Sequence, residues 1–363
     1  MDNPSPPPQL IEVADKVDAR LQAVLDHQHD HWRAVDPRLS EAVDELGRMI
    51  TSGGKRLRAA FCYWAWQGNG GPDRAALAGV GPDHDELVVN VGAAFEFLQV
   101  FALIHDDIMD AADTRRGTKT VHVRNAERLT ELGWRGEARR YGEGVAILVG
   151  DLGHVYADQL TRGVGDRARQ LWDEMRIELN LGQYLDIRSA AAGAADLETA
   201  RQVATFKSAM YTIVRPMQIG VSLHGDADPD LLDQVDAFGR PLGRAFQLRD
   251  DALGVLGESK TLGKPVGDDL REGKPTELLA YATAGATAEQ AETLAMVGRD
   301  DLTAEQISEL VSVLIETGAV AENEAEISRL VAEASKVLAD IPFAEPGKTA
   351  LADLADYVAA RTY

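Results

Sequence analysis

Residues 101–117 read FALIHDDIMDAADTRRG, and their chemistry poses the first question. Asp106, Asp107 and Asp110 close an apolar stretch, and Arg115 and Arg116 follow. On a helix, Asp106 and Asp110 share a face while Asp107 is rotated by about 100°. A second pair, Asp250 and Asp251, sits in a similar piece, FQLRDDALG, about 144 residues further on. Unpartnered carboxylates so placed repel one another and take up protons, at a cost of kcal/mol. A divalent cation removes the difficulty. Oxygen ligands without His or Cys favour Mg²⁺ over zinc or iron. Mg²⁺ keeps several waters and binds one or two carboxylates together with substrate phosphates, so the pattern suggests a metal-bridged phosphate ligand.

The cations agree. GGKRLR (53–58) opens a helix with Lys55, Arg56 and Arg58, and Gly53 and Gly54 allow close backbone approach. Lys260, Lys264 and Lys274 follow the second acidic pair, and TFKSAMY sets Lys207 among apolar or small residues. Taken singly, Lys260 and Arg56 read as surface cations lying over apolar neighbours. Taken together, these residues are cationic sites in a chain of net charge −22. They suit a multiply charged anion held by Arg, Lys and metal. Asp-Asp also occurs at 268 and 300, but among 59 acidic residues a pair alone means little. Asp300–Asp301 reads as a solvated helix end.

Helices must position these groups. IEVADKVDARLQAVLDH, DELVVNVGAAFEFLQVFALIHD, LWDEMRIELNLGQYLDI and LLDQVDAFGRPLGRAFQLRDD all repeat apolar residues at three and four. Thr303 with Gln306 matches a capping box. Period-2 strands with hairpin turns are missing. Residues 67–86, the ADTRRGTKT turn and residues 257–276 read as loops. The expectation is an all-α bundle, with a disordered lead-in over 1–8 and a single domain over 9–363.

Composition narrows the class. Hydrophobic residues make up 45% of 363, enough for a sizeable core. The acidic surface disfavours nucleic acid and anionic membranes. Position 62 holds the single cysteine, which excludes an internal disulfide framework and fits a cytoplasmic location. The first ten residues lack the pattern of a signal peptide. No apolar run is expected to reach the roughly 18–20 residues of a transmembrane segment.

These pieces resemble the trans-isoprenyl diphosphate synthases, or polyprenyl synthetases. The matching motifs are GGKRLR, LQVFALIHDDIMDAADTRRG, FKSAMYTIVRP, FQLRDD and LGKPVGDDLREGK, in the family's order, across nearly the whole chain. The resemblance implies an isoprenoid-synthase-type bundle of antiparallel helices around a deep central cavity, usually as a homodimer. It implies condensation of isopentenyl diphosphate with an allylic diphosphate (dimethylallyl, geranyl or farnesyl) and a Mg²⁺ cofactor. Asp106, Asp110 and Asp250 would bind the metal, with Asp107 beside them in the catalytic group. Arg115, Lys207, Gln247, Lys264 and Lys274 would hold the allylic diphosphate, Ser208 lying next to them. Lys55, Arg58, Gln99 and Arg116 would hold isopentenyl diphosphate. In mechanism, an allylic C–O bond ionises, the second substrate's double bond attacks the cation, and a proton is lost.

Phe101 and Ala102 stand five and four residues before Asp106. An aromatic followed by a small residue there resembles the family's geranylgeranyl (C20) pattern, a large side chain blocking further growth of the prenyl tail. The chain departs from the family at four places. Gly254 replaces the last aspartate of the second motif. Gln99 stands where many members have His, Ser208 replaces a common threonine, and Ala59 a frequent proline. A farnesyl or longer product is one alternative, and a class I terpene cyclase on the same fold another. The cyclase has no use for a second diphosphate pocket. A ferritin-like di-metal oxidoreductase needs Glu-x-x-His pairs that this chain lacks. A non-catalytic subunit draws slight support from Gly254.

Overall fold

Apolar residues three and four apart give the first helices their buried faces. Helix α1 (Pro8–Val35) buries Leu10, Val13, Val17, Leu21 and Leu25 along one stripe. Helix α2 (Pro37–Thr51) starts at Asp36, whose carboxylate accepts from the Arg38 N–H, with Pro37 at the first helical position. Helices α3 (Leu57–Gly68) and α4 (Gly71–Leu77) come next. This computed structural model describes residues 5–77, 84–192, 197–225, 227–256, 267–299 and 301–360. The chain forms two compact units. One comprises Pro8–Tyr63 and Gly81–Val164; the other comprises Trp64–Val80 and Gly165–Tyr363, with Met1–Pro7.

In the first unit, helix α5 (His84–Met109) runs through the core, with Phe95, Phe97, Leu98 and Ile104 fully buried. A short antiparallel ladder of β1 (Thr114–Arg115) and β2 (Thr118–Lys119) succeeds it, pairing Thr114 with Lys119. Helices α6 (Val121–Glu131) and α7 (Ala138–Leu160) complete the unit, and α5 packs against α7, α1 and α2. The expectation that no stretch could span a bilayer needs correction. Asp85–Met109 is long and apolar enough by composition, with a mean hydropathy of 2.0. Its most apolar window is 61% buried inside the protein, as befits a core helix.

The second unit contains α8 (Asp166–Ala192), α9 (Leu197–Val203), a π-helix (Ala204–Val214) and α10 (Arg215–Ser222). Next come α11 (Pro229–Leu256), α12 (Asp268–Glu272), α13 (Glu277–Gly285) and α14 (Ala288–Leu294). Helices α15 (Ala304–Glu316), α16 (Ala319–Asp340) and α17 (Gly347–Ala359) end the chain. The capping box at α15 forms as expected: the Gln306 N–H donates to Thr303 Oγ1, and the Thr303 N–H to Gln306 Oε1. Helix α11 packs against the π-helix and α16. Arg249 pairs with Glu324 at 2.5 Å and Asn323 Nδ2 donates to the Leu248 carbonyl at 3.2 Å, which fixes the end of α11 that carries Asp250.

The expected loops hold more structure than their Gly and Pro content suggested. Residues 67–86 contain α4 and the start of α5, and 257–276 contain α12. Residues 78–83 and 257–266 lie outside the described residues, as do 1–4 of the expected lead-in and Asp300. Asp301 is exposed and pairs with Arg299 at 3.1 Å, a solvated position.

Candidate active site

Helix α5 delivers the first acidic group at its C-terminal end. The Asp110 N–H donates to the Asp106 carbonyl at 2.8 Å, so the two residues stand one turn apart on one side. Asp107 is 1% exposed, and Arg115 Nε donates to its Oδ1 at 2.5 Å. Arg115 also lies 3.5 Å from Asp106. Burial works against the Arg115 charge, but Asp107 and Asp106 hold its guanidinium above its ordinary pKa. The helix closes when the Ala112 N–H donates to the Asp107 carbonyl at 2.9 Å and the Ala111 N–H to that of Ile108 at 3.3 Å. Ala111 takes φ 50°, a left-handed position usually given to glycine.

Arg56 (φ 53°) and Arg116 (φ 52°) share that conformation. With Ala111 they are the three non-glycine positive-φ residues among those described, and all border this acidic group or the Gly53–Gly54 turn. Strained backbone of this kind costs about 1–3 kcal/mol and clusters at ligand-binding sites. Arg116 donates to the Gly53 carbonyl and, at 3.3 Å, to Ser52 Oγ. Arg56 is not the surface cation expected: it is buried and bonds Asp18 at 2.7 Å, Glu96 at 2.8 Å and the Ile50 carbonyl at 3.1 Å. Glu96 is buried on α5 and needs a counter-charge, which Arg56 supplies. Lys55 is exposed, while Arg58 and Gln99 are half-buried. Burial lowers Arg116 from its ordinary pKa; Glu96 opposes the drop, and the like charges of Arg115, Arg56 and Arg58 add to it. Such crowding of guanidiniums favours an anion. Phe101, half-buried on α5, has its ring 4.7 Å from that of His105 and 5.0 Å from that of His154 on α7. Ala102 is next to it, also half-buried.

In the second unit, a small cavity is lined by Asp186, Lys207, Gln247, Asp250, Asp269 and Lys274, among others. Lys207 Nζ donates to Asp186 at 2.6 Å. Ser208 Oγ donates to Gln247 Oε1, and Gln247 Nε2 to Asp251 Oδ1 at 2.5 Å. Burial pushes the Asp251 carboxyl well above the usual range; the Gln247 bond opposes this, and the charges of Asp269 and Asp250 reinforce it. Lys274 pairs with Glu272 and lies 3.7 Å from Asp269. Glu277 anchors the adjoining wall, accepting from Arg244 at 2.6 Å, Arg201 at 3.3 Å and Tyr281 at 3.0 Å. Lys207 and Ser208 ride on the π-helix, which two glycines admit. A Cβ on Gly182 of α8 would lie 2.7 Å from the Lys207 backbone nitrogen, and one on Gly243 of α11 would lie 2.4 Å from the Ala209 Cα. π-Helical segments are rare and recur at functional sites.

Asp186, Asp269 and Glu277 were not singled out from the sequence, although Asp269 lies inside the quoted LGKPVGDDLREGK motif. Lys260 and Lys264 lie outside the described residues. Both acidic groups offer carboxylate oxygen, the donor chemistry of Mg²⁺. Among the described residues, no three His, Cys, Asp or Glu side chains are gathered tightly enough to enclose an ion.

Residues 40–314 match the family model described as Polyprenyl synthetase. The chain belongs to the polyprenyl synthetase family. It shares the all-α isoprenyl synthase fold and is a prenyltransferase, a trans-prenyl diphosphate synthase. A geranylgeranyl pyrophosphate synthase from Corynebacterium glutamicum, solved with isoprenyl diphosphate and magnesium, superposes with a TM-score of 0.88 at 34% identity. The match covers 97% of this polyprenyl synthetase and 99% of that chain. The geranylfarnesyl diphosphate synthase of Aeropyrum pernix is 30% identical, covering 93% of this chain and 99% of the relative. The geranylgeranyl diphosphate synthase of Sulfolobus acidocaldarius is 35% identical over 67% of this chain and 66% of its own.

Proposed function

We propose that this enzyme joins isopentenyl diphosphate head-to-tail (1′-4) to dimethylallyl, geranyl or farnesyl diphosphate, with Mg²⁺ as cofactor, and that its main product is geranylgeranyl diphosphate (C20). The observation that carries this reading is that each acidic helix end has cations beside it. Arg115 braces Asp106 and Asp107, and Lys207 and Lys274 line the cavity that holds Asp250.

Asp106, Asp110 and Asp250 would hold the metal, which when bound supplies positive charge to offset the leaving diphosphate. Arg115, Lys207, Gln247 and Lys274 are the described groups assigned to the allylic diphosphate, with Ser208 orienting Gln247. Their N–H groups meet the negative charge that grows as the C–O bond ionises. Lys55, Arg58, Gln99 and Arg116 are assigned to isopentenyl diphosphate, Arg116 being held by the Gly53 carbonyl. The nucleophile is the double bond of isopentenyl diphosphate and no protein nucleophile is called for; the Cys62 thiol is buried and its pKa is raised by that burial. A cytoplasmic location remains part of the proposal. So does a homodimer, for which α8 offers the exposed apolar stripe Ile177, Leu181, Tyr184 and Ile187.

The C20 assignment rests on Phe101, whose ring is backed by His105 and His154, and on the small Ala102 beside it. A longer product is the second reading, favoured by the likeness to a geranylfarnesyl diphosphate synthase. Radiolabelled isopentenyl diphosphate with each allylic primer and Mg²⁺, combined with chain-length analysis, tests both. C20 from all three primers is the expected result. Asp106→Ala and Asp250→Ala should each abolish product, and near-normal rates in either would reject that metal assignment.

A further inference from the structure

We propose that Glu277, the first residue of α13, is a positioning residue: it ties together the three segments that bring Lys207, Gln247 and Lys274 to one cavity, and so sets the fit of that cavity to the allylic diphosphate. The inference rests on the proposed assignment of those three residues to that substrate. Glu277 does not itself line the cavity, although Thr276 before it does. Its side chain is 1% exposed, and it accepts from Arg244 Nε at 2.7 Å, Arg244 Nη2 at 2.6 Å, Arg201 Nε at 3.3 Å and the Tyr281 hydroxyl at 3.0 Å.

Each arginine comes from a segment that forms a cavity wall. Arg201 lies on α9 between the wall residues Ala200 and Ala204, and α9 runs directly into the π-helix that carries Lys207. Arg244 stands one turn before Gln247 on the same side of α11, and its Nη1 also pairs with Glu326 of α16 at 2.7 Å. On the third wall, the Thr276 N–H donates to the Lys274 carbonyl at 2.9 Å, and Thr276 Oγ1 caps α13 by accepting from the Leu279 N–H at 3.2 Å. The Lys274–Thr276 strap is thereby continuous with the helix that begins at Glu277. Apolar contact has no direction, whereas a guanidinium fork on a carboxylate fixes distance and plane together. Apolar side chains could replace such a buried pair with little change in stability. What the charged cluster adds is the alignment of the three walls.

The test uses the full chain and farnesyl thiolodiphosphate, an allylic analogue whose bridging sulfur resists ionisation, titrated by calorimetry with Mg²⁺ present. Glu277→Gln keeps the shape and removes the charge. It should weaken analogue binding by about ten-fold or more, since a displacement of about 1 Å in a positioning group is felt on that scale, and leave KM for isopentenyl diphosphate within about two-fold. Glu277→Leu combined with Arg244→Leu should return the urea midpoint to near that of the unaltered protein while the analogue stays weakly bound, because apolar replacement restores stability but not direction. Normal analogue binding in Glu277→Gln or in the double variant overturns the proposal. So does an equal rise in KM for isopentenyl diphosphate, which would mark a general loss of structure. If Glu277→Gln does not fold by circular dichroism, the double variant decides. Turnover of the unaltered enzyme is measured in parallel: no prenyl product sinks the proposed function, whereas normal turnover with unmoved analogue affinity in the variants sinks only the role of Glu277.

Discussion

Replacing Arg115 with leucine separates its structural role from its catalytic one. Asp107 is 1% exposed, and its partner Arg115 has a side chain only 13% exposed. Removing one member of such a buried pair strands a charge without solvent, which costs about 3–5 kcal/mol. Replacing both with leucine removes the stranded charge, and a buried pair exchanged for apolar residues is often near neutral. The double variant should therefore be more stable than Arg115→Leu by about 2 kcal/mol or more, a coupling typical of residues in direct contact. Urea unfolding monitored by tryptophan fluorescence and by circular dichroism measures this, coincident curves being required because the chain has two compact units. Neither variant should make product, since Arg115 is assigned to the allylic diphosphate. Additivity within about 0.5 kcal/mol would refute the argument that Asp107 and Arg115 act as one buried unit.

Three other outcomes are expected. Ala111→Gly should stabilise the protein by about 0.5–1 kcal/mol, because alanine at φ 50° carries the left-handed penalty that glycine avoids; a lower urea midpoint would contradict this. Gly243→Val should cost about 1–3 kcal/mol or more and raise KM for the allylic substrate, since its Cβ would press on the Ala209 backbone at 2.4 Å. Normal kinetics there would show that the π-helix tolerates displacement. Phe101→Ala should lengthen the product, seen by chromatography of the dephosphorylated alcohols; an unchanged length would place the stop elsewhere.

The helices were legible because burial imposes a period of three to four, which α1, α5 and α11 display openly. The α15 boundary was legible for a different reason: Thr303 and Gln306 satisfy end-of-helix N–H groups wherever they occur at that spacing. Arg56 was misread because a cation's sequence neighbours do not reveal a buried glutamate forty positions away. Helical spacing sets Asp107 about 100° from Asp106, but only the fold shows that it is sealed against Arg115 while Asp106 is half-exposed. Asp186 had no signal at all, being one acid on an amphipathic helix in an acidic chain. The π-helix escaped because its eleven residues, apolar or small except Lys207 and Tyr211, carry no periodicity that separates it from an α-helix. Residues 67–86 were read as a loop on Gly and Pro alone, but Pro at a first turn and Gly at a boundary are compatible with the short helix found there.

The π-helix has a consequence for how this enzyme can change over generations. At its end, the Arg215 N–H reaches back five residues to Met210. Loss of a single codon within the segment would let it rewind at the ordinary pitch, turning the residues on one side of the deletion by about 100° relative to those on the other. Lys207 and Ser208 would swing away from Asp186 and Gln247 although every functional residue was still encoded. Insertions and deletions, more than replacements, are the lesions this stretch cannot absorb.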